Sequence, residues 1–183
     1  MRSAEDEPAS AAPPGSPVDA GPLAGTAPPG PASPEEAAIW GNRGKRLAHR
    51  GDWTWEGVPL EPYKPTTETY RGVTRRELVG KRGESPRFHV RYFEVAPGGF
   101  TTYERHHHEH VVIGQRGRGE ALVGEQVLPI GPGDVVYVAP LEPHQLRNRA
   151  PRGAEPFGFL CIVNAERDRP EALDGYGVCE VCV

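Results

Sequence analysis

Gly98-Gly99-Phe100-Thr101-Thr102-Tyr103-Glu104-Arg105-His106-His107-His108-Glu109-His110-Val111-Val112-Ile113 is the stretch around which the rest of the chain is organised. The 183 residues contain seven histidines; four fall between positions 106 and 110, and His144 follows later. Imidazoles and a carboxylate crowded beside an apolar β-branched run are the donors a divalent transition metal requires, since neutral nitrogens and one anionic oxygen hold and partly neutralise the ion. Alternate side chains of an extended strand share a face, so Glu104 and His106 point the same way. His110 has the same parity, but a tight turn before it would leave parity unable to separate His110 from His108. His144 comes from a segment far off in sequence, as closing a coordination sphere demands.

Around this stretch lie short β-type runs divided by turn residues. Phe88 to Val95 is aromatic and β-branched and meets Pro97-Gly98-Gly99, which predicts a stop. Val111 to Ile113, Glu120 to Val123, Val127 to Ile130, Val135 to Val138, Gln145 to Asn148 and Phe157 to Val163 continue the pattern. Many closely spaced short strands predict an all-β antiparallel sandwich or barrel over residues 87–165, with no helix of ordinary length.

The flanks read differently. Residues 1–34 hold nine of the 21 prolines and no aromatic residue, a composition too poor in apolar surface to offset its ordering entropy, so a disordered leader is expected. Residues 35–86 carry Trp40, Trp53, Trp55, Tyr63 and Tyr70 among frequent glycines and prolines, which predicts an extended arm wrapping something larger. Residues 166–183 form a polar tail ending in Cys179-Glu180-Val181-Cys182, whose spacing suits a redox pair or half of a second metal site. Cys161, inside an apolar run, is expected to be a buried, inert thiol.

Composition excludes several functions. A formal charge of −4 with scattered arginines gives no basic stripe, so nucleic acid is not an expected partner. No apolar run is long enough to span a bilayer, and the acidic Glu5-Asp6-Glu7 is unlike a secretory signal. A cytoplasmic protein without a membrane partner is expected.

The spacing Gly98-x5-Glu104-x-His106-x3-His110-x6-Gly117 resembles the first motif of the cupin superfamily, which usually reads Gly-x5-His-x-His-x3-Glu-x6-Gly. Gly133 to His144, with Asn148 after it, resembles the second motif, Gly-x5-Pro-x-Gly-x2-His-x3-Asn, although Pro140 sits one place late and Glu142-Pro143 replaces the usual glycine turn. The resemblance spans about residues 74 to 163. It implies a small single-domain cupin, a double-stranded β-helix or jelly-roll barrel, with Glu104, His106, His110 and His144 as metal ligands. His107, His108 and Glu109 are left to a surface or supporting role. The carboxylate stands where the family usually has histidine, and histidine where it usually has glutamate.

Four protein ligands would leave open positions for a small chelating substrate. Fe(II) or Mn(II) is the favoured ion, with Ni, Cu or Zn as alternatives. An anionic Glu104 ligand favours a higher oxidation state, so an oxidoreductase of the dioxygenase type is the leading expectation. A non-catalytic metal or small-ligand binding cupin and a Mn-dependent lyase or isomerase are the alternatives. Tyr92, Gly114 and Phe159 are candidate substrate-pocket residues, Gly114 either leaving space beside the metal or marking a bulge. By resemblance the chain is expected to form a homodimer that pairs sheet edges.

Overall fold

The computed structural model describes residues 44–64, 69–82, 84, 87–167 and 171–173. The leader 1–34, the start of the arm and the Cys179/Cys182 pair lie outside these described residues.

Eleven strands and no helix make up the described chain: β1 (Glu61–Pro62), β2 (Arg71–Val79), β3 (Phe88–Phe100), β4 (Glu104–Arg105), β5 (His110–Arg116), β6 (Gly119–Val123), β7 (Gln126–Ile130), β8 (Val135–Val138), β9 (His144–Arg147), β10 (Phe157–Asn164) and β11 (Glu171–Ala172). All pairings are antiparallel. One wall runs β2-β3-β10-β5-β8 and the other β7-β6-β9-β4-β11. The walls join where Phe100 of β3 pairs with Arg147 of β9, curling the sheet into a nearly closed barrel. Every run expected between Phe88 and Val163 is a strand.

Strand β3 does not stop at Pro97-Gly98-Gly99. Gly98, with φ of 74°, bends it, and the ladder continues because the Gly98 N–H donates to the Asn148 carbonyl and the Asn148 N–H to the Gly99 carbonyl. The positive φ values of Gly98, Gly117 and Gly133 (74°, 56° and 90°) explain three motif positions in physical terms, since residues with a Cβ rarely adopt them. At Gly117 a Cβ would also lie 2.3 Å from the Pro156 carbonyl oxygen. Asn148 serves the fold: it is 1% exposed, and its amide donates to the Val95 carbonyl.

The arm is more than a wrapping segment. Residues 71–79 form a full strand against β3, so the sheet begins before residue 87. That strand is hard to see in the sequence because Arg75 and Glu77 share the inward parity of Val73, where an apolar alternation would be expected. Residues before it do wrap. Trp53 stacks on Tyr92 (centroids 5.5 Å apart, 9° between planes) and Trp55 tilts against the same ring. With Leu47, Val58, Leu78, Val90 and Leu160 they make a small second core on the outer face of the β3 wall. The main core, inside the barrel, contains Phe93, Val95, Val112, Val138, Phe157 and Phe159.

Candidate metal centre

Strand alternation persists through the bend between β4 and β5. Glu104, His106, His108 and His110 are buried, whereas Arg105, His107 and Glu109 are exposed. His144 enters from β9, whose register sets it directly opposite Glu104. His106 and His110, from one bend of the chain, thus converge with His144, with one ligand nitrogen of each within 4.8 Å of the others. Their ring centroids are 4.5, 4.8 and 5.0 Å apart. Two nitrogens each about 2.1 Å from a shared ion would lie about 3–4 Å apart, close to this arrangement.

The hydrogen bonds fix the tautomers. His106 Nδ1 is 2.7 Å from the His108 carbonyl and His144 Nδ1 is 2.9 Å from the Glu142 carbonyl. A carbonyl only accepts, so both Nδ1 atoms carry the proton and both Nε2 atoms offer a lone pair, the pattern of metal-binding histidines. The His110 Nε2 is buried without a hydrogen-bond partner, and its Nδ1 lies 3.4 Å from Cys161 Sγ. A buried, unsatisfied imidazole nitrogen costs stability unless something occupies it. Burial, reinforced by the neighbouring His144 and His106, holds the His110 pKa far below its ordinary value. Burial likewise lowers His144, against the opposing pull of the Glu142 carbonyl and Glu104. Three buried imidazoles, two of them anchored at Nδ1 by carbonyls and the third with an unsatisfied Nε2, fit a divalent transition metal.

Glu104 stands beside this group but gives its carboxylate to Lys64, an ion pair whose side chains are 9% and 27% exposed. Nothing in the sequence around Lys64 marked it as a partner for the cavity. Of the two roles left open for His108, surface or supporting, its position suits the second: it is 7% exposed, its ring stacked on His106 with centroids 3.6 Å apart. The even parity that places His106 and His110 inside places His108 there too.

The histidines open into a cavity of about 220 Å³ whose other walls come from Tyr63, Phe93, Val112, Leu146, Phe159 and Cys161, with Arg75, Arg91 and Arg167 completing it. Of the three expected pocket residues only Phe159 lines it. Tyr92 cannot, because adjacent strand residues face opposite ways and Phe93 takes the interior; Tyr92 lies under Trp53 on the outer wall. Gly114 has inward parity but abuts the loop before β8, where a Cβ would lie 2.0 Å from the Gly131 carbonyl oxygen. Its lack of a side chain admits that loop and leaves no space beside the histidines. A register shift in the facing strand, between Gly158 and Phe159, marks the irregularity. Cys161 is buried as expected, and burial pushes its thiol pKa up against the opposing effect of Arg91, but it faces the cavity.

Among the described residues no helix is long and apolar enough to cross a membrane. The model of the cupin domain matches residues 91–163. Over 123 residues the chain is 43% identical to a 1-methylthio-D-xylulose 5-phosphate methylsulfurylase of Rhodospirillum rubrum, covering 67% of this chain and 76% of that one. Among solved structures it is similar to a cupin 2 conserved barrel domain protein from Rhodopseudomonas palustris (TM-score 0.62, 40% identity, 70% of this chain and 86% of that one). It is also similar to a cupin 2 domain-containing protein from Halorhodospira halophila (TM-score 0.51, 45% identity, 70% and 81%). With the cupin domain matched over residues 91–163, these relatives at 40% identity or more and the same barrel, the chain belongs to the cupin family.

Proposed function

We propose that this chain is a metal-dependent cupin enzyme acting on a small phosphorylated keto sugar that carries a sulfur substituent. The observation that carries the proposal is the convergence of three buried histidines on a cavity of about 220 Å³ that suits a molecule of sugar size. The name of the Rhodospirillum rubrum relative, at 43% identity, supplies the substrate class.

His106, His110 and His144 would hold the ion. Bound there, a divalent metal supplies Lewis-acid polarisation of a carbonyl or hydroxyl oxygen. The carbonyls of His108 and Glu142 fix the imidazole orientations, and Phe93, Val112 and Phe159 supply apolar walls beside the histidines. Glu104, beside the histidines and paired with Lys64, is positioned to take up or return a proton at the carbon next to the polarised carbonyl. The Lys64 ammonium also balances the charge of that carboxylate, which removes the electrostatic ground for expecting dioxygenase chemistry.

Metal analysis of protein purified without chelator, followed by incubation with 1-methylthioxylulose 5-phosphate and mass detection of products, tests the reading. Bound transition metal and metal-dependent loss of substrate are expected. Protein that takes up no divalent metal, or oxygen consumption with chelating substrates and no reaction of the sugar, would overturn it. Metal uptake and sugar binding without turnover would leave a binding module instead.

A further inference from the structure

We propose that Arg75, Arg91 and Arg167 form an anion subsite in the cavity wall that holds the phosphate of the substrate, a deepening that rests on the functional reading above. All three line the same cavity as the histidines. Arg75 and Arg91 come from the paired strands β2 and β3, where Arg75 is in register with Phe93, the next inward residue after Arg91. Arg167 follows β10 and is close enough for Arg91 and Arg75 to act on its charge, opposed by the carboxylate of Glu77.

Their partners leave positive charge over. Arg75 gives Nη2 to Glu61, and its Nε is buried with no hydrogen-bond partner. Arg91 reaches the Cys161 thiol with Nη2 and lies over the Phe93 ring, and its Nε too is buried with no partner. Arg167 donates to the Asn164 carbonyl. Neither Arg91 nor Arg167 forms an ion pair with a carboxylate among the described residues, while the one carboxylate lining the cavity, Glu104, is committed to Lys64. Arg75 and Arg91 each keep a buried Nε without a partner, and only Arg75 is paired with a carboxylate, a costly arrangement that an arriving dianion relieves. A guanidinium also presents paired donors that match phosphate oxygens.

The placement suits a substrate that meets the metal at one end. Cys161 Sγ lies 3.4 Å from His110 Nδ1 and 3.4 Å from Arg91 Nη2, so one thiol separates the histidine cluster from the arginines. A single small molecule can therefore chelate through its oxygens and rest its phosphate on the guanidiniums.

Calorimetric titration of the metal-loaded full chain with inorganic phosphate, in about 150 mM chloride to screen non-specific attraction, tests the subsite. Phosphate should bind, and Arg91→Met and Arg167→Ala should each weaken it by about 10- to 100-fold. Arg149→Ala, which removes an exposed arginine paired with Glu120, should bind as the wild type does. The exposed position of Arg167 keeps the test clear of misfolding, and unfolding midpoints verify each variant. No binding to the wild type, undiminished binding by folded Arg91→Met and Arg167→Ala, or an equal loss in Arg149→Ala would each overturn the proposal. If phosphate binding follows the arginines but the methylthio sugar phosphate is not turned over, the subsite stands and the functional reading falls. If the sugar phosphate is turned over with a KM indifferent to both arginines, the subsite falls and the reading stands.

Discussion

Replacing Lys64 by Met should destabilise the metal-free protein more than a surface lysine could, because it strands the Glu104 carboxylate inside the barrel. The Glu104 side chain is 9% exposed and that of Lys64 27%. Opposite charges about 4 Å apart attract by about 4 kcal/mol at an effective dielectric constant of about 20. Removing one member of a fully buried pair costs about 3–5 kcal/mol; partial access of water to Lys64 brings this to about 2–3 kcal/mol. For a folded unit of this size about 4 °C accompanies each kcal/mol, so Lys64→Met should melt about 10 °C lower. Glu104→Gln in the same background should recover most of the loss, with a coupling energy of about 2 kcal/mol in the double-mutant cycle. The assay is thermal and urea unfolding followed by circular dichroism at neutral pH, with excess chelator so that metal binding does not contribute. A single-variant loss below about 0.5 kcal/mol, or effects of the two substitutions that simply add, would refute the view that Lys64 compensates a buried charge.

Three further outcomes are expected. His106→Ala and His144→Ala should purify without stoichiometric metal while His107→Ala, an exposed neighbour, keeps it; elemental analysis showing metal retained by His144→Ala would reject the three-histidine assignment. Leu141 holds a left-handed φ of 63° with its side chain 51% exposed, at the place where the second motif has glycine; Leu141→Gly should stabilise by about 0.5–1 kcal/mol in urea melts, because release of about 1–2 kcal/mol of strain exceeds glycine's entropy cost. Glu84 tethers the arm through Lys45; burial raises its pKa, but the Lys45 ammonium and the Arg82 and Gly80 amides more than offset this and hold it at about 2 against an ordinary 4.5. Its folded pKa being depressed, the stabilisation is complete above pH 4.5 and is lost as the pH falls toward 2. Discounted for solvent screening it is about 1 kcal/mol, and Glu84→Gln should flatten the acid limb of the stability curve by that amount.

The sequence by itself determined the strands from Phe88 to Val163, because each apolar run is short, β-branched or aromatic and bounded by turn residues. It also showed the histidine cluster, with Glu104 and His106 on one face, although parity alone left His110 and His108 unseparated, and the glycines at 98, 117 and 133 marked turns that the structure makes with positive φ. The same parity contained His108, whose burial followed from an alternation that the bend does not break.

Only the tertiary structure decided what surrounds those histidines. Strand β2 was masked because its inward residues include Arg75 and Glu77, and a polar cavity removes the apolar alternation by which a half-buried strand is recognised. Tyr92 and Gly114 were misplaced because chain order does not show which face of a strand meets the interior or which loop covers its end. Lys64 reaches Glu104 across 40 residues, and Arg75, Arg91 and Arg167 meet from three separate segments. Pairings at that separation are set by sheet closure and not by local propensity, so the clustered histidines could be read along the chain while the cationic side chains that line the cavity with them could not.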